Sequence, residues 1–318
     1  STASRVAATG NQTDGEYDGA FSAVATGLVA AQNYSYRLVV TSASTGAEEV
    51  IDDVYEITTD TAYAIPNAGF EEYDTSGNYP VFYKNVNDAW WGTGNAGSGD
   101  YGYVICDVAT GTDEYKEGSA AARLQSAYAV VKFAAGNLFT GQFAGLVGTS
   151  GGKVNFGRPW TVRPKALKLY CKYSTGPMDI VKESPPGVNL VKGETYDRAE
   201  IKVAFGYWDY KKYGGTKNSP VHIDTTNPST FVDYNSDKST IGNGNLTLYH
   251  DGYSLNGAQM TKSATDQWVE YTIPINYRDS DTLPTHIIIS CAASQFGDYF
   301  SGCSSSKLWL DKFELLYE

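Results

Sequence analysis

The stretch AEIKVAFGYWDY at residues 199–210 decides the fold. It is an apolar, β-branched and aromatic run without a helical period, and it reads as a strand. Similar runs recur at GYVICDV, AYAVVKF, ALKLYCKY, NLTLYH, QWVEYTIPI, THIIISCAAS and KLWLDKFELLYE. Turn-forming clusters such as TSGN, STGP, YGGT and IGNGN separate them, and no βαβ alternation intervenes. Many short strands with turns between them predict an all-β antiparallel sandwich, most simply a jelly roll.

Composition agrees. The chain holds 25 Tyr, 12 Phe and 6 Trp against 2 Met, and its 33 Gly suit the turns of a β-protein. A formal charge of −12 and a pI near 4.7 disfavour phosphate backbones and anionic lipid surfaces, so a neutral partner is expected and no nucleic acid. No apolar run approaches the roughly 20 residues of a membrane span. Cys106, Cys171, Cys291 and Cys303 form no CxxC pair. With only 3 His in the chain, a structural zinc site is not expected. The first three cysteines sit in apolar runs, as buried thiols do; a Cys291–Cys303 bridge is left open. The chain opens at Ser1 without Met, so a signal peptide or lipid anchor is expected to be missing from it.

A boundary is expected near YAIPNAG, where Pro66 cannot extend a ladder and Asn67–Gly69 favour a turn. That gives one domain over 1–65 and a larger one over 66–318. In QNYSYRLVVTS, Tyr34, Tyr36, Leu38 and Val40 alternate with Ser35 and Arg37, the pattern of a strand with one buried face. With Leu28 six residues before Tyr34, the first segment resembles part of an immunoglobulin or fibronectin type III domain, although Ala30 stands where that family has proline. Its expected role is a spacer.

The motifs NAGFEEY, WWGTGN, AGNLFTGQF, NFGRPWTVRPKALKLYCKY, W..Y.IPINY and SKLWLDKFELLYE follow one another over 66–318. In that order they resemble the putative carbohydrate metabolism domain, found in surface proteins of Gram-negative gut anaerobes. The resemblance implies a jelly roll, a role with polysaccharide or oligosaccharide, and a place at the cell surface, outer membrane or periplasm, alone or within a glycan-utilisation complex. It implies no catalytic residues. The GFE start and the LD-containing last strand are also similar to calcium-containing jelly-roll carbohydrate-binding modules, which implies Glu71 and Asp311 as ligands of a structural Ca²⁺. Lys312 stands where those modules often carry a second acid, so an ion pair or a hydrogen-bonded Asp311 is the alternative.

A sugar site needs flat apolar faces rimmed by amides and hydroxyls. Two places offer this. One is WWGTGNAGSGDYGYV at 90–104, where Trp90 and Trp91 should face opposite ways, one buried and one at a groove edge near Asn95. The other is FGYWDY, where Phe205 and Tyr207 would point inward and Trp208 and Tyr210 outward, with room left by Gly206. Both could equally be core. Arg158 and Arg163 could hydrogen-bond hydroxyls or an acidic sugar but suit ion pairing to an acidic surface better. The glycines and prolines of AGNLFTGQF and NFGRPWTVRPK are expected to make turns.

Three function classes follow: a glycan-binding module, a glycoside hydrolase, and a non-catalytic adhesion or scaffold protein. Asp107, Glu114, Glu117, Asp209, Asp266 and Glu270 could supply a hydrolase pair, but an acidic chain offers such candidates by chance. No GxSxG, HExxH or phosphate-binding loop is present, and the His250–Asp251 step lacks a nucleophile.

Overall fold

The computed structural model describes residues 5–13, 16–23, 25, 28, 33–42, 44–59, 63–129, 132–261 and 266–317. Ala30 lies outside them. The chain divides into two compact units, Ala64–Leu316 and a smaller one of Ser1–Tyr63 with Tyr317–Glu318.

In the smaller unit Thr9–Thr13 pairs with Glu16–Ser22, Asn33–Tyr36 with Tyr55–Thr58, and Val39–Thr41 with Glu48–Val50. Tyr36 stacks on Tyr55 with ring centroids 5.3 Å apart. The face expected to be buried is only partly covered: Tyr34 and Leu38 are half-buried, but Tyr36 is 55% and Val40 52% exposed. Two-stranded ladders bring no second layer to cover their apolar side.

The larger unit is a β-sandwich of jelly-roll type. One sheet has eleven strands, and its central path runs Val221–Asp224, Gly151–Phe156, Asn137–Val147, His286–Ala292, Ala199–Gly206 and Thr240–Leu248. The other sheet orders Val269–Pro274, Ala166–Ser174, Lys307–Leu316, Ala121–Gln125 and Cys106–Ala109. All these pairings are antiparallel. Alternation explains the core: Ala199, Ile201, Val203 and Phe205 are fully buried, while Glu200 and Lys202 between them are not. Tyr173 of the second sheet donates its hydroxyl to the O atom of Ala293, just past the end of the first sheet's strand His286–Ala292, at 3.1 Å.

Two sequence expectations are corrected, and one open question is answered. IGNGN is not a turn but part of the strand Thr240–Leu248; a Cβ on Gly244 would stand 2.4 Å from Pro274 O, so glycine there permits close backbone approach. AGNLFTGQF likewise lies mostly in the strand Asn137–Val147. All four cysteines are buried and free, so Cys291 and Cys303 are not bridged.

Candidate functional site

The outer face of the eleven-stranded sheet carries a cleft of about 760 Å³. Its floor is set by register. Ser290, Lys202 and Asn245 stand abreast on three neighbouring strands, and Asn243 lies one step along. One wall is the loop containing Gly94, Gly97, Ser98 and Tyr101, with Phe143 and Leu146 from the long strand beside it. A Cβ on Gly97 would fall 2.9 Å from Phe143 Cζ, so glycine lets the ring lie against that wall. Other sides come from Phe231 to Asn235 and from Phe296 to Phe300.

The rings of Phe143, Phe231, Tyr234, Tyr299 and Phe300 are half-buried there, and Tyr101 is exposed. Phe300 adopts φ +52°, a left-handed conformation that costs a bulky residue on the order of 1 kcal/mol. Lys132 sits over its ring, Nζ 4.3 Å from the centroid, and donates to Ser150 O at 2.7 Å. The charged lining comprises Lys132, Lys202, Glu200, Asp233 and Asp298. Desolvation would favour a neutral Lys202, but Glu200, Asp298 and Asp233 outweigh it and hold its pKa above the usual lysine range.

None of the five sugar-contacting residues expected from sequence lines this cleft. Trp90 and Trp91 do face opposite ways. Trp91 is 3% exposed, packs on Phe70 and Phe313 at 5.5 and 5.3 Å, and donates Nε1 to Pro66 O and Asn67 O. Trp90 is half-buried and meets Trp160 edge-on at 6.1 Å. Asn95 is 0% exposed rather than at an open edge. Its Oδ1 accepts from the Ile105 and Cys106 amides, and its Nδ2 donates to Cys106 O and Pro80 O, which pins the wall loop. Trp208 is 2% exposed with Nε1 donating to Asp237 at 3.0 Å. The space beside Gly206 is filled by Trp208 itself, whose Cε2 and Cζ2 would lie 2.7 Å from a Cβ there. The strand ends at Gly206, so alternation lapses: Phe205 is buried as expected, but Tyr207 is exposed and Tyr210 begins the one-turn helix Tyr210–Tyr213.

The two arginines serve the scaffold. Arg158 donates to Trp90 O, Gly141 O and Ser219 Oγ, and burial lowers its pKa to about 10. Arg163 bonds Thr282 O and Asp279 and lies 4.1 Å over the Tyr277 ring. Four of the six carboxylates singled out in the sequence also have structural partners. Arg123 joins Asp107 and Glu114 at 2.8 and 2.9 Å, Lys312 pairs with Glu117, and Asp209 caps the short helix through Lys211 N.

Glu71 and Asp311 converge near Gly69, where a Cβ would lie 3.7 Å from Asp311 Oδ1 and 4.0 Å from Glu71 Cγ. Glu71 accepts from Ser119 N, Ser119 Oγ and Ala120 N. Asp311 is 0% exposed; Oδ2 accepts from Lys116 N and Glu117 N, while the buried Oδ1 has no hydrogen-bond partner among the described residues. An unsatisfied buried carboxylate oxygen beside a second carboxylate fits a hard cation. Lys312, at φ +52° in a bulge of the last strand, pairs with Glu117 instead of Asp311. Among the described residues no cluster of three or more His, Cys, Asp or Glu side chains is formed, so any further ligands would be backbone carbonyls or water.

The cleft residues escaped sequence reasoning because they come from segments scattered between residues 94 and 300. The available signal was local: Glu200 and Lys202, opposite in sign, alternate with four apolar residues of a strand flanked by others.

Two solved structures resemble this chain in fold. One, described as a putative glycoside hydrolase from Bacteroides thetaiotaomicron VPI-5482, is 20% identical with a TM-score of 0.55 and covers 90% of this chain and 79% of its own. The other, described in the same terms from Bacteroides vulgatus ATCC 8482, is 19% identical with a TM-score of 0.51 and covers 78% of this chain and 96% of its own. At such identities the likeness concerns the fold. No curated protein matches the chain. The model of the family described as "Putative carbohydrate metabolism domain" matches residues 69–316, and the chain belongs to that family.

Proposed function

We propose that the larger unit binds a neutral oligosaccharide or polysaccharide in the cleft of its eleven-stranded sheet. The observation that carries this reading is the lining: half-buried rings of Phe143, Phe231, Tyr234, Tyr299 and Phe300 around a floor of Asn243, Asn245 and Ser290. Ring faces suit the C–H faces of pyranoses, and amides and hydroxyls read their OH groups. An apolar contact of ~60 Å² at ~25 cal/mol per Å² contributes about 1.5 kcal/mol, roughly tenfold in affinity. Membership in a carbohydrate-metabolism family supports the same reading.

A structural Ca²⁺ belongs to the proposal. Glu71 and Asp311 would hold it, and the ion would tie the domain's opening segment to its last strand by satisfying Asp311 Oδ1. The proposed setting is the bacterial cell surface or periplasm, where such a module captures glycan, alone or within a glycan-utilisation complex.

The test is a binding screen of the whole chain against α- and β-linked polymers of glucose, galactose, mannose, xylose and arabinose and against mucin O-glycans. Binding of at least one glycan, competed by its soluble oligosaccharide, is expected. No binding across the panel contradicts the reading.

A further inference from the structure

Strand register divides the cleft into two halves of different chemistry. Ser290, Lys202 and Asn245 form a polar row, and Phe139 of the strand Asn137–Val147 stands next to Ser290 at its end. Lys202 Nζ, with three N–H groups, bonds Glu200 at 2.7 Å. Phe143 lies four residues further along the strand of Phe139, roughly 13 Å away at ~3.3 Å per residue. It opens a second row, abreast of Val154, which is itself abreast of Ile223. Paired residues of antiparallel strands share a face, as do residues two apart on one strand, so both rows line the same cleft. The second row is apolar throughout. Leu146, 47% exposed, borders it, and Phe231 and Val232 pack against the buried cluster that includes Ile223.

Polar groups beside the second row are committed to the protein. Thr225 Oγ1 accepts from Gly152 N at 3.0 Å and donates to Gly152 O at 3.1 Å. Ser98 Oγ donates to Tyr103 O, and Lys132 Nζ to Ser150 O, both at 2.7 Å. Thr149 and Tyr101 lie exposed at the rim. A pyranose carries hydroxyls around its ring, and one laid along this row would bury some of them without partners, which is costly. An apolar group meets no such penalty, and it takes Phe143, Val154 and Leu146 out of water.

We propose that the cleft takes a glycoside with an apolar aglycone, the sugar over Ser290, Lys202 and Asn245 and the aglycone over Phe143, Val154 and Leu146; this rests on the glycan reading above and narrows it. Hydroxyls then meet the amide, hydroxyl and ammonium of the polar row, and an aryl or alkyl group covers the apolar one. The linkage between the two parts falls near Phe139, where the rows approach each other.

The experiment takes the oligosaccharide that competes best in the panel screen. The intact chain is titrated with its methyl, phenyl and octyl glycosides, below the micelle concentration of the octyl form. The phenyl form, the octyl form or both should bind about tenfold or more tighter than the methyl form. Which of them gains tells an aryl from an alkyl aglycone. Leu146→Ser and Val154→Thr should each cut that ratio by about threefold or more, whereas Asn245→Ala should weaken all three forms alike and keep the ratio. Equal Kd values for the three forms overturn this proposal and leave the glycan reading standing; absence of any binding in the screen overturns both. A ratio that survives both Leu146→Ser and Val154→Thr overturns the placement of the aglycone over this row.

Discussion

Two sets of aromatic residues in the larger unit differ in what covers them. Phe70, Trp91 and Phe313 meet one another with centroids 5.3–5.7 Å apart and are at most 3% exposed. Phe143, Tyr234, Tyr299 and Phe300 are half-buried along the cleft. The residue types are alike. The difference lies in whether another element packs over the face from which each ring projects. A single stretch shows both outcomes, since Trp91 is core while Gly94, Gly97, Ser98 and Tyr101, a few residues on, line the cleft wall. Between them Asn95, by bonding the backbone at Ile105, Cys106 and Pro80, holds the wall in place.

That contrast can be broken first at Trp91. Trp91→Ala should cost about 3–5 kcal/mol in denaturant unfolding, through a cavity and the loss of its Nε1 bonds. A loss below about 1 kcal/mol would show the ring is not core. Asn95→Ala leaves buried amides of Ile105 and Cys106 unpartnered and should cost about 3 kcal/mol. It should also weaken glycan binding, because the wall loses its pin; unfolding and titration of the same variant separate the two effects.

Removing the cation sharpens the comparison at the domain's closure. If Ca²⁺ satisfies Asp311 Oδ1, its withdrawal from a hundredfold excess over Kd costs about 2.7 kcal/mol. Chelator should lower Tm and added Ca²⁺ restore it, and Asp311→Asn should abolish the response. Identical melting curves with and without chelator would dismiss the ion. The smallest effect is expected at Tyr210, half-buried on a one-turn helix outside the cleft. Tyr210→Ala should change stability by no more than about 0.5 kcal/mol and leave glycan affinity alone; a tenfold loss of affinity would return FGYWDY to candidacy.

Much of the fold was legible because a strand declares itself locally. AEIKVAF and THIIISCA carry their own pattern, and the order of motifs from NAGFEEY to KLWLDKFELLYE pointed to the family. IGNGN misled because glycine marks a turn and a close strand approach with the same letters, and only the position of Pro274 and Tyr277 distinguishes them. The site was far less legible. Trp208 reads as an exposed platform until the strand is seen to stop at Gly206, which folds the indole back over the glycine. Ser290, Lys202 and Asn245 become neighbours only through the pairing of three strands remote in sequence.

The most direct test titrates the tightest glycan from the panel against Phe300→Ala and Trp90→Ala, with Tm measured for each. Phe300 carries its ring at the cleft under Lys132, whereas Trp90 packs on Trp160 outside it. The cleft account predicts about tenfold weaker binding for Phe300→Ala at little cost in Tm. Trp90→Ala should keep wild-type affinity whatever it costs in stability. Unchanged affinity in Phe300→Ala together with lost affinity in a folded Trp90→Ala would contradict the account and place the glycan on the tryptophans.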